Sequence, residues 1–140
     1  MPDETVPTIT PRREATRQRL LDAAALVFAE TGLDAASVEA ICERAGYTRG
    51  AFYSNFDTKE ELFLELCART AQQQVAAVRE RVERFESGDA PADSSAIVRE
   101  VLEVAGEDRT AVLLLSEIRV HALRNPSLAA AFLAQEAELE

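Results

Sequence analysis

SVEAICERAGYTRGAFYSNF, residues 37–56, is the stretch that decides the fold. Ser37 supplies a hydroxyl N-cap. Val38, Ile41, Cys42 and Ala45 then recur at the spacing of one apolar helix face, and Gly46 closes the helix. Only Tyr47 separates that glycine from Thr48, a second N-cap, so another short helix is predicted from about Arg49 to Asn55, burying Phe52. Two short helices joined by a tight glycine turn, behind a longer supporting helix, are the parts of a helix-turn-helix.

Working outward toward the N-terminus, Leu20, Leu21, Ala24, Val27 and Phe28 make the apolar face of that longer helix. Thr10-Pro11 is its start signal, and Gly32 is predicted to end it in the left-handed conformation. Residues 1–11 hold three prolines and small polar groups and are expected to form a disordered tail. The DNA-binding unit is then predicted over 12–58, with its helix-turn-helix at about 37–56.

Toward the C-terminus, Asp57 breaks the chain and Thr58-Lys59-Glu60-Glu61 is a capping box. It opens a connecting helix over 59–86, about 40 Å long, whose stripe runs from Leu62, Phe63 and Leu66 to Phe85. The polar stretch SGDAPADSS, residues 87–95, marks a linker. Beyond it, Ile97 to Ala105 form one helix. Val112, Leu113, Leu114, Leu115, Ile118 and Leu123 form another that is apolar nearly all round and is predicted to be deeply buried. Asn125-Pro126 interrupts the pattern before a last helix with Leu128, Phe132 and Leu133, inside which the sequence stops. Residues 96–140 are therefore expected to form a helical unit whose surplus apolar surface favours self-association. The fold class predicted is all-α.

The composition of the 140 residues, 47% hydrophobic and 29% charged, is that of a globular chain. No apolar run is long enough to span a bilayer. Two cysteines, Cys42 and Cys67, are too few for a disulfide framework and point to a reduced, cytoplasmic protein. Both sit beside apolar helix positions and read as packing residues rather than a redox pair. His121 is the single histidine, read as a partly exposed helix residue, so a histidine metal site or serine–histidine catalysis lacks material. With no phosphate loop or nucleophile motif either, neither an enzyme nor a cofactor is expected.

A net charge of −10 argues at first against nucleic acid. The charge is uneven, however. Residues 12–59 balance seven basic groups (Arg12, Arg13, Arg17, Arg19, Arg44, Arg49 and Lys59) against seven acids, and residues 60–140 hold the acidic excess. Phosphate contacts depend on local charge, so the total is no veto. Glu60, Glu61, Glu65, Glu80, Glu83 and Glu86 read as solvated helix faces, paired at helical spacing with Arg69, Arg79 and Arg84.

In a helix-turn-helix the first helix crosses the phosphate backbone and the second enters the major groove. Ser37 offers a hydroxyl and free amides to a phosphate. Arg49 leads the second helix and can pair bidentately with guanine. Gly50 allows close approach to the duplex, while Tyr53 and Lys59 can reach phosphate oxygens. Arg12 and Arg13 can enter a minor groove as an N-terminal arm, or simply belong to the tail. The same helix–glycine–helix turn occurs in α-helical proteins that never touch DNA, so a protein-interaction module with an acidic face is the competing reading.

Residues 16–66 resemble the N-terminal domain of TetR-family transcriptional regulators. The resemblance is carried by Gly32, Ser37-Val38, Ile41, Ala45-Gly46, Thr48-Arg49-Gly50, Phe52-Tyr53, Phe56 and Lys59-Glu60-Glu61-Leu62. Ser54-Asn55 stands where many members have Tyr-His. The resemblance implies a homodimer, usually a repressor and more rarely an activator, that binds a double-stranded operator and releases it when a small molecule enters the C-terminal helices. It implies phosphate contacts from Ser37, Thr48, Tyr53 and Lys59, and places Arg49, Gly50 and Ala51 against bases. It also implies that residues 96–140 are an incomplete helical regulatory domain, and the switch it implies swings the connecting helix and alters the separation of the two recognition helices.

Overall fold

The computed structural model describes residues 10–88 and 93–139, and every regular element among them is a helix. In chain order these are α1 (Pro11–Ala35), α2 (Val38–Ala45), α3 (Arg49–Tyr53), α4 (Lys59–Glu86), α5 (Ser94–Glu107), α6 (Arg109–Arg124) and α7 (Pro126–Leu139). The fold is all-α. The tail expected over 1–11 falls outside the described residues as far as residue 9, and the expected linker does so at 89–92.

Side-chain caps define where these helices begin. The Arg13, Ala40, Ala51 and Glu61 amides donate to the hydroxyls of Thr10, Ser37, Thr48 and Thr58 at 3.0–3.2 Å. Asp93 and Asp108 accept the Ala96 and Ala111 amides in the same way. Each such cap contributes about 1 kcal/mol. The capping box at α4 closes one residue early: the Glu61 carboxylate accepts the amide of Asp57, at 3.1 Å.

One core joins the first four helices to α6. Leu20, Leu21, Ala24, Val27 and Phe28 from α1 meet Ile41 and Cys42 from α2, Phe52 from α3, Phe56, and Leu62, Phe63, Leu66 and Cys67 from α4. Leu114 and Ile118 of α6 complete it. Phe28 and Phe63 pack edge to face with ring centres 5.1 Å apart, an arrangement favoured by the ring quadrupoles. No helix among the described residues is long and apolar enough to cross a membrane.

Three expectations need correction. Gly32 does break α1, but at φ 81° and ψ 170° it occupies an extended region open essentially to glycine alone, not the left-handed helical one, and a last helical turn follows. α6 is not buried all round. Ala111, Leu114 and Ile118 face α1 and α4, whereas Val112, Val120 and Leu123 remain exposed, Leu123 at 80%. A helix packed against its neighbours along part of its circumference has only that part covered, whatever the remaining side is made of. Finally, Glu65 pairs with Arg17 across the α1–α4 interface, and Arg69 reaches Asp22 at 3.0 Å and Gln18 at 2.7 Å. Packed helices bring charges closer than neighbours along one helix do.

Candidate nucleic-acid interface

The turn between α2 and α3 is organised by Cys42. Its carbonyl accepts the amides of Gly46 and Tyr47 at 2.9 and 3.0 Å, and its thiol donates to the Thr48 carbonyl at 3.6 Å. Gly46 takes the left-handed conformation, φ 78° and ψ 29°, which lets the chain reverse within two residues. Burial raises the Cys42 pKa, with nearby Arg49 opposing the shift, so the thiol stays protonated at neutral pH.

α3 is held from behind. Phe52 is fully buried and packs at a tilt against Phe56, ring centres 5.7 Å apart. α1 reaches the far end of α3 with two arginines. Arg13 donates to the Ser54 carbonyl at 2.7 Å, and Arg17 donates to the Asn55 carbonyl at 2.8 Å while lying 4.3 Å from the Phe56 ring centre. Arg17 also forms its ion pair with Glu65, which keeps its charge compensated in a partly buried position. The Tyr47 phenol has its pKa lowered, first by a hydrogen bond from Thr16 and further by Arg19 and Arg12.

With Phe52 turned inward, Thr48, Arg49, Gly50 and Tyr53 are all exposed on the outer side, and Ala51 is half-buried between the two. Ser37 and Thr48 spend one oxygen lone pair on their caps and keep a hydroxyl proton to donate. Arg49 lies 3.0 Å from Glu39 of α2 and 6.0 Å from the Tyr53 ring centre. An exposed ion pair of this kind is weak, so the guanidinium is readily exchanged to another acceptor.

Lys59 is placed differently from the sequence expectation. Its ammonium donates to the carbonyls of Leu33, Asp34 and Ala36 at 2.9, 3.1 and 2.8 Å. A lysine has three N–H groups, and these three acceptors use them all, leaving none for a phosphate. Arg13, one of the expected arm residues, gives one of its five side-chain N–H groups to Ser54 and stays exposed. Composition and helical spacing carry no sign of the Arg13, Arg17 and Lys59 contacts, because each joins segments 23–48 residues apart. Glu117 did carry one: it is the single acid in the apolar run 112–123, and its carboxylate sits 2.9 Å from the Leu33 amide.

Residues 20–66 match the family described as bacterial regulatory proteins, tetR family. The HTH-type transcriptional regulator UidR of Escherichia coli strain K12 is 32% identical over 117 residues, which cover 84% of this chain and 57% of UidR. The chain thus spans little more than half the length of that relative. Among solved structures, a TetR-family regulator from Mesorhizobium loti superimposes with a TM-score of 0.73 at 24% identity, over 90% of this chain and 62% of the other. That likeness is one of fold. The multidrug binding protein EbrR, solved with imidazole, gives a TM-score of 0.65 at 29% identity, over 93% and 70%. The capped, glycine-turned helix pair, the helical body behind it and these matches make the chain a member of the TetR family of bacterial regulatory proteins.

Proposed function

We propose that the chain is the DNA-binding part, with several regulatory helices, of a sequence-specific transcriptional regulator that acts as a ligand-responsive repressor. The observation that carries this is α3: Phe52 locks one side into the core while Thr48, Arg49, Gly50 and Tyr53 present the other side outward. In this reading Ser37, Thr48 and Tyr53 take phosphates, and Arg49, Gly50 and Ala51 lie against base edges, with Arg49 exchanging Glu39 for guanine. Lys59 positions the unit instead of touching DNA. A five-residue α3 reads only a few base pairs, so two copies on a two-half-site operator supply specificity and make the homodimer part of the proposal.

The ligand response is supported by an open groove of about 290 Å³ between α6 and α7, lined by Ile118, Ala122, Ala129, Phe132, Leu133 and the Arg119 stem. Its walls suit a small apolar molecule. EbrR, solved with imidazole and described as a multidrug binding protein, lends the same direction to the reading. Selection of bound duplexes from random-sequence DNA, followed by mobility shift at several salt concentrations, tests the proposal. A recurrent motif with two half-sites is the expected result. Uniform recovery of all sequences, or no retention at all, refutes it.

A further inference from the structure

We propose that Glu117 of α6 is a positioning residue that latches the α1–α2 junction, and through it sets the orientation of the helix-turn-helix. The consequence for DNA rests on the function proposed above; the latch itself does not.

Gly32 interrupts the helical ladder of α1, so the following amide, that of Leu33, needs an acceptor from elsewhere. Glu117 Oε1 accepts it at 2.9 Å. His121, one turn further along α6, places Nε2 2.9 Å from the same oxygen and braces it. Glycine at position 32 suits the approach. A Cβ on residue 32 would stand 3.0 Å from Oε1, and φ of 81° is in any case strained for other residues.

The other side of this short segment is held from α4. Lys59 takes the carbonyls of Leu33, Asp34 and Ala36, and Ser37 caps α2 immediately afterwards. Leu33 is therefore gripped on both of its flanking peptide units, its N–H by an α6 carboxylate and its C=O by an α4 ammonium. Its side chain is buried as well, leaving it little freedom to compensate. The direction in which α2 leaves α1 is decided by two charged side chains from the helical body.

Such a joint responds to small movements. A displacement of about 1 Å along the contact carries it from 2.9 Å to about 3.9 Å, beyond hydrogen-bond range. The helix that carries Glu117 also carries Ile118, Arg119 and Ala122 on the wall of the α6–α7 groove. Anything that shifts that wall shifts the latch. Its release leaves a buried amide unsatisfied, so the junction must rearrange rather than merely loosen.

Nuclear magnetic resonance on the full chain tests this, with Glu117→Ala, Glu117→Leu and Glu117→Gln. Glu117→Leu keeps α6 strongly helical and leaves little cavity, so it decides the matter if the alanine variant fails to fold. Removing the acceptor is expected to speed exchange of the Leu33 amide by about tenfold or more, and to move amide resonances across residues 37–53. Affinity for a duplex enriched on the wild-type chain falls about tenfold. Glu117→Gln retains an oxygen, keeps exchange and affinity within about threefold and leaves the 37–53 resonances in place. Unchanged Leu33 exchange overturns the latch, and faster exchange with motionless 37–53 resonances overturns its control of the helix-turn-helix. A wild-type chain that enriches no duplex refutes the regulator reading alone, because exchange and resonances still decide the joint.

Discussion

Replacing Lys59 by methionine separates two roles that the position could serve. Methionine keeps the apolar stem and removes the ammonium, so the carbonyls of Leu33, Asp34 and Ala36 lose a common donor. Hydrogen bonds to a charged group contribute about 1.5–3 kcal/mol each. Three from one ammonium do not add, and Lys59 is only half-buried, so water recovers part of the loss. The net destabilisation expected is about 3 kcal/mol. For a chain of this size that lowers Tm by roughly 12 °C. Differential scanning calorimetry or denaturant titration measures it directly. In parallel, the salt dependence of DNA binding should keep its slope, because an ammonium already holding three carbonyls releases no counterion from the duplex. Full stability in Lys59→Met combined with a slope lower by about one unit would refute the reasoning and return Lys59 to the phosphate backbone.

Arg49→Ala should leave Tm unchanged, since its partner Glu39 is an exposed residue, while affinity for the selected duplex drops about tenfold or more and preference relaxes at one base pair. Equal losses on selected and random DNA in a mobility shift would make it a phosphate contact instead. Burial, assisted by the Glu117 carboxylate, pushes the Cys67 thiol from its ordinary 9.0 up to about 12. A neutral form favoured by the fold stabilises fully below the unfolded value and loses that contribution as pH rises from about 9 toward 12. Wild-type stability should therefore decline over that window and Cys67→Ala should flatten the decline; parallel pH profiles would show that another group is responsible. Cys67 and Cys42 should also resist thiol reagents until the chain unfolds, and rapid labelling of the native protein at pH 7 would contradict their burial.

Local chemistry made much of this molecule readable from its residues. The caps at Ser37, Thr48 and Thr58, the αL turn at Gly46 and the apolar spacing from Val38 to Ala45 depend on neighbours within four residues, and each stands where its residue type predicts. Phe52 faces inward and Thr48, Arg49 and Tyr53 outward for the same reason: a helix start and its period divide the faces without help from the rest of the fold.

What only the tertiary structure decided are the pairings between distant segments. Periodicity marked Val112 to Leu123 as apolar on all sides, yet how much of α6 is covered depends on where α1, α4 and α7 lie. Lys59 looked like a cation at a helix start facing DNA, and only the approach of residues 33–36 supplied it with three carbonyls. Gly32 signalled a helix end, while the carboxylate that a Cβ there would crowd, that of Glu117, lies 85 residues away. A charge carries no record in its own neighbourhood of which distant partner it will meet. Periodicity tells which way a side chain points along its own helix; its partner is chosen by how the helices pack.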